Sequence, residues 1–94
     1  MITLLVNSFE LETLQCVVSY EKTDAIFLSA VLPLDLDYNE VHKVLLETHN
    51  PDLKIKYDNG HIETYQGFYF STLTLNHEAD ERTEMVCTFR KDLV

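Results

Sequence analysis

The stretch Leu53-Lys54-Ile55-Lys56-Tyr57 alternates apolar with polar residues, Asp58-Asn59-Gly60 interrupts it, and His61-Ile62-Glu63-Thr64-Tyr65 alternates back. A period of two places alternate side chains on opposite faces of an extended chain. Asp, Asn and Gly supply the backbone conformations of a tight reversal. This feature constrains the fold most, because it demands an antiparallel hairpin with one apolar face.

The same period recurs along the chain. Residues 2–7 begin as a strand and run into Asn7-Ser8, turn residues that suggest a first hairpin. Leu14, Cys16, Val18 and Tyr20 alternate with Thr13, Gln15 and Ser19, the pattern of a strand with one buried face. Residues 21–24 are polar and turn-like. Residues 25–32 are apolar on both faces, which predicts a central strand covered on both sides. The expected cover is a helix after Pro33. Asp37 followed by Glu40 has capping-box spacing, so the helix is predicted to start at about Tyr38. Val41, Val44, Leu45 and Thr48 recur at helical steps, with Glu40, Lys43 and Glu47 on the other side. His49-Asn50-Pro51 is the expected stop.

Gln66-Gly67 marks a bend or bulge before a strand over residues 68–75, and residues 76–81 form an acidic loop. Thr83, Met85, Cys87 and Phe89 then alternate with Glu84, Thr88 and Arg90 in a last strand. Seven strands and one helix predict an α+β fold: a mainly antiparallel β-sheet, as a sandwich or half-open barrel, with one helix packed on it. No internal repeat is present, which excludes a solenoid.

Ninety-four residues are expected to make one domain, 1–94. Hydrophobic residues at 46% suffice to offset ordering entropy, and two Gly with two Pro argue against a flexible linker. Sixteen Asp and Glu against seven Lys and Arg give a formal charge of -9. That charge repels phosphate backbones and anionic lipid, so neither direct nucleic-acid binding nor membrane binding is expected. It suits solubility, or docking onto a basic protein surface. No apolar run reaches the roughly 20 residues of a membrane helix, and the N-terminal apolar run is too short for a signal peptide. A cytoplasmic location is the expectation. Cys16 and Cys87 both lie within apolar alternations and are expected as reduced, buried thiols rather than a disulfide.

Catalytic chemistry finds no convergent residues. Gly60 and Gly67 are needed for turns and do not cluster into a phosphate-cradling loop. His42 and His49 lie about 10 Å apart along a helix, too far to chelate one ion, and His61 and His77 stand on other segments. Asp35-Leu36-Asp37 is a carboxylate pair of the kind that sometimes holds Mg²⁺ or Ca²⁺, but capping already accounts for Asp37. No metal, cofactor or catalytic residue is assigned. Two surface features stand out. Asp35, Asp37, Glu40 and Glu47 cluster around the helix, and Glu78, Asp80, Glu81 and Glu84 around the last loop. Together they could make a negative face toward a basic groove, or a solvated face without a partner. Tyr57, Tyr65 and Tyr69 gather around the hairpin, as core or as contact residues of a binding surface.

The run from Tyr57-Asp58-Asn59-Gly60-His61 through Gln66-Gly67-Phe68, followed by a strand and a final strand ending Phe89-Arg90-Lys91, resembles small uncharacterised proteins encoded by phages and prophages of Gram-positive bacteria. The resemblance covers about half the chain and carries no catalytic motif. It implies a viral or mobile-element origin, and two non-enzymatic roles. One is an acidic inhibitor of host defence, in the manner of anti-CRISPR proteins that mimic DNA. The other is a virion or tail-assembly component that self-associates as a homo-oligomer.

Overall fold

Among the described residues, inward-facing apolar side chains at every second position draw eight strands into two layers. The computed structural model describes residues 2–21, 24–48, 51–77 and 83–93. Strands β1 (Ile2–Val6), β2 (Phe9–Thr13), β3 (Gln15–Glu21) and β4 (Ala25–Leu32) precede helix α1 (Tyr38–Leu46), and β5 (Leu53–Lys56), β6 (Ile62–Tyr65), β7 (Tyr69–His77) and β8 (Thr83–Asp92) follow it. They form two four-stranded sheets of order β2-β1-β5-β6 and β3-β4-β8-β7, every neighbouring pair antiparallel. Among the described residues the architecture is the expected α+β fold, mainly antiparallel sheet with one helix, and of the two forms left open it takes the sandwich.

One apolar cluster joins the layers. Leu4, Val6, Leu11, Leu53 and Ile55 come from the first sheet, Leu28, Ala30, Leu32, Leu73, Met85, Cys87 and Phe89 from the second, and Val41 and Leu45 from the helix. Burial of these side chains is the main favourable term, at about 25 cal/mol per Å² of apolar surface removed from water.

The expected seven strands become eight, because residues 9–13 pair with β1 as a strand of their own. Asn7 makes that hairpin. It takes a left-handed conformation (φ 56), which Asn tolerates better than most residues. Its side-chain oxygen also accepts from the Asp52 backbone N–H at 2.9 Å, and its own N–H donates to the Asp52 carbonyl at 2.9 Å. One residue thus turns the chain and anchors the start of β5.

The chain changes sheets three times. It crosses from β2 to β3 within a single residue, Leu14, whose N–H donates to the Val31 carbonyl at 2.8 Å. The Thr13 hydroxyl, buried at the crossing, donates to the Ile2 carbonyl at 2.8 Å. The helix carries the chain back, and Gly67 (φ 83) bends it from β6 into β7. This bend is separate from the β-bulge, which falls later, between Phe70 and Thr72. The abrupt crossing also corrects the expectation for Leu14: it stands outside β3 and is 65% exposed, while Cys16 and Val18 keep their inward positions.

The helix starts as expected, with the Asp37 carboxylate accepting from the N–H groups of Asn39 (3.0 Å) and Glu40 (3.3 Å). It ends earlier than the polar stop suggested. Glu47 is the C-cap and the Thr48 hydroxyl donates to the Leu45 carbonyl at 2.7 Å; the proposed stop residues His49 and Asn50 lie outside the described residues. Its position differs too. The expected cover for the second face of β4 would place it outside the second sheet, yet Val41 and Leu45 enter the shared core. The Tyr38 hydroxyl donates to the Leu73 carbonyl at 2.8 Å, and His42 lies 6.0 Å edge-on to Phe70, so the helix packs on the inner face of β7. The outer face of β4, with Phe27, Ser29 and Val31, is half-buried, and the Arg90 guanidinium sits 5.5 Å from the Phe27 ring centre.

Cys16 and Cys87 both pair with Ala30, from opposite sides. They are therefore two strands apart, about 9.6 Å, beyond disulfide reach. Both are free thiols. Burial raises Cys16 to about 11 and Cys87 to about 12, Cys16 adding a smaller charge effect on Cys87.

Replacing Asn7 with Ala is expected to cost about 2 kcal/mol, one part from the lost hydrogen bond and one from left-handed backbone strain, with Asn7→Gly costing less; urea unfolding measures both. The thiols predict a pH dependence. Their folded pKa values exceed the unfolded one, so the contribution is complete below pH 9.0 and declines as pH rises through about 11 and 12. Urea midpoints between pH 8 and 11 should fall, and Cys87→Ala should flatten that fall relative to its own value at pH 8.

Candidate partner-binding site

The end of the sandwich where β2 crosses to β3 also receives the end of β4, and local sequence opens a cleft there. Leu32 is the last inward residue of β4, and Pro33 cannot donate to a strand ladder. The Leu36 N–H closes a turn onto the Pro33 carbonyl at 3.4 Å, with Leu34 and Asp35 at its centre, both exposed. Leu14 projects beside them. The resulting cleft of about 430 Å³ is lined by Leu14, Val31, Leu32, Pro33 and Leu34, with the carboxylates of Asp35 and Glu84.

This cleft unites members of the two acidic clusters that lie 49 positions apart in sequence. Glu84 stands on β8, on the same outer face as Val86, which pairs with Val31 of β4. Asp37 and Glu40 are exposed at the N-terminal end of α1, two and five residues beyond Asp35. Glu47 is exposed as well, but ten residues of helix place it about 15 Å from Asp37. Glu78, Asp80 and Glu81 lie outside the described residues.

The outer face of the first sheet carries both signs of charge. On the outer face of the first sheet, Leu5 pairs with Glu10 on one side and Lys54 on the other, and Thr3 with Glu12 and Lys56. Glu10 and Glu12 therefore share one surface with Lys54 and Lys56, on opposite sides of β1.

The three tyrosines do not share a patch. Tyr57 and Tyr65 converge on Glu63: the Tyr65 hydroxyl donates to Glu63 Oε2 at 2.6 Å, and Tyr57 hydrogen-bonds the same carboxylate. His61 stacks on Tyr57 at 5.9 Å, with its Nε2 3.9 Å from Glu63 Oε1, and Phe68 meets Tyr65 edge-on at 5.9 Å. These hydrogen bonds, Tyr65 first, hold Glu63 below its ordinary value. Tyr65 is pushed up chiefly by burial and then by Glu63, and Tyr57 chiefly by its hydrogen bond to Glu63. Tyr69, 41% exposed, lies on the outer face of the other sheet, where its hydroxyl donates to Asp92 Oδ2 at 3.0 Å. Arg90 Nε reaches Asp92 Oδ1 at 2.7 Å. The bend at Gly67 separates Tyr69 from the hairpin pair.

Among the described residues, no group of three or more His, Cys, Asp or Glu is placed to hold a metal ion, and no helix is long and apolar enough to cross a membrane. No family model, no curated protein and no solved structure matches this chain.

Leu14 and Leu34, which line the cleft, were not among the candidate residues read from the sequence. Leu14 continued an apolar alternation and looked inward; Leu34 stands at the centre of the turn onto Pro33 and is exposed, whereas Leu36, two residues on, packs against the core.

Tyr65→Phe should raise the Glu63 titration midpoint toward the ordinary glutamate value, since the first-ranked bond holding it down is lost; carboxyl-carbon NMR from pH 2 to 7 reads this. The Tyr57 bond should persist and keep the midpoint from full reversion.

Proposed function

We propose that the chain is a non-catalytic protein-binding module that docks onto a basic surface of a partner protein through the carboxylates at the cleft end of the sandwich. One observation carries this reading: Asp35 and Glu84, from opposite halves of the chain, share one cleft, and the exposed Asp37 and Glu40 follow Asp35 within five residues. A formal charge of -9 adds long-range attraction toward a cationic groove and, once docked, repels nucleic acid from that groove. The natural target is a nucleic-acid-binding surface of a host defence protein, occupied in the manner of a DNA mimic within the cytoplasm of an infected cell.

A second reading, a virion or tail-assembly component, draws on the outer face of the second sheet. Val17 is 44% exposed there, and Phe27, Val31 and Val86 are half-buried, a surface suited to stacking against another copy.

Affinity capture from host lysate with stepped salt elution, alongside solution mass, separates the two. A basic nucleic-acid-binding protein released by moderate salt supports the inhibitor. Self-assembly without such a partner overturns it in favour of the particle component. For a captured partner, the combined Asp35→Asn, Glu40→Gln and Glu84→Gln variant should slow association about tenfold at low salt and much less at 0.5 M, where charges are screened within about 5 Å.

A further inference from the structure

Resting on the basic-partner reading, we propose that the cleft seats one large apolar side chain of the partner, flanked in the partner's sequence by lysine or arginine. The acidic rim alone would account only for steering. The walls add a different requirement.

Leu14 and Leu34 are 65% and 53% exposed, among the most exposed large apolar residues described, and they line the same cleft. A cavity of about 430 Å³ falls within the roughly 300–1,000 Å³ of ligand-holding clefts, which combine apolar walls with a few polar groups that set orientation. Here Val31, Leu32 and Pro33 supply the apolar surface, and Asp35 and Glu84 the orienting groups. The cleft is also preformed. The Leu14 backbone is tied to Val31, Pro33 restricts its own φ, and the turn onto Pro33 precedes a capped helix. A preformed cleft spares the ordering cost that weakens docking to mobile surfaces.

Charge selects the occupant. An acidic or nucleic-acid ligand would bring like charge to Asp35 and Glu84, and a second copy of this chain would bring a formal charge of -9 of its own. A cationic segment bearing an apolar anchor satisfies walls and rim together. Anchors of this kind, buried in a pocket inside a polar rim, carry most of the binding energy in protein interfaces.

The test uses two synthetic probe peptides, one with two lysines on each side of a central phenylalanine and one with serine in place of the phenylalanine, titrated into the full chain at low salt. The phenylalanine peptide should bind at least tenfold more tightly and shift the backbone amide resonances of Leu14, Val31, Leu34 and Glu84. Leu34→Ser should remove the tenfold difference and Leu34→Met retain it, with amide dispersion confirming that both variants fold. Asp35→Asn with Glu84→Gln should weaken both peptides. Equal, salt-sensitive binding of the two peptides would overturn the anchor while leaving the electrostatic reading standing. Binding of neither would overturn both. Concentration-dependent shifts of the same amides without peptide would assign the cleft to a second copy instead.

Discussion

The single-residue passage from β2 to β3 governs this molecule. Thr13 belongs to the first sheet and Gln15 to the second, so two strands adjacent in sequence must lie in different layers. Extended chain cannot change layers without interrupting its ladder. The interruption is contained by the Thr13 hydroxyl on the Ile2 carbonyl and the Leu14 N–H on the Val31 carbonyl. The side chain at the crossing then has no inward position left. Leu14 projects at the sandwich end, where β4 also terminates before Pro33, and the cleft lies between that crossing and the turn after β4.

The same packing distributes charge unevenly. On one outer face Glu10 and Glu12 flank β1 on one side and Lys54 and Lys56 on the other, while Asp35 and Glu84 meet at the cleft with Asp37 and Glu40 following Asp35 in sequence. Carboxylates near a helix N-terminus are favourable for the helix itself, because the end carries unsatisfied N–H groups. Asp37 shows that economy directly, through its bonds to Asn39 and Glu40. Asp35 lies two residues before the N-cap, at the centre of the turn onto Pro33, so capping does not account for its position at the cleft.

Much of the fold was legible because alternation and turn chemistry are local. The β5–β6 hairpin follows from Gly60, which at φ 87 takes a conformation other residues resist, and the helix start follows from Asp37. The missed strand β2 is short, and Phe9, Leu11 and Thr13 alternate with Glu10 and Glu12 too briefly to separate from the neighbouring Leu14 pattern. The misplaced helix had another cause. Residues 25–32 look apolar on both faces, but Phe27, Ser29 and Val31 are shielded in part by their own neighbours in the sheet, including Arg90 over Phe27, and need no helix above them.

The sequence by itself determined the strand period, the reversals at Asn7 and Gly60, the helix N-terminus, the strongly negative charge and the absence of a local catalytic motif, since each depends on residues within a few positions of one another. Only tertiary structure decided which carboxylates meet, that Tyr57 and Tyr65 share Glu63 while Tyr69 serves the opposite sheet, and that Leu14 and Leu34 wall a cleft. Those outcomes depend on which layer each strand joins. That choice is made by burying both inner faces in one core at once, a condition no local window of the chain contains.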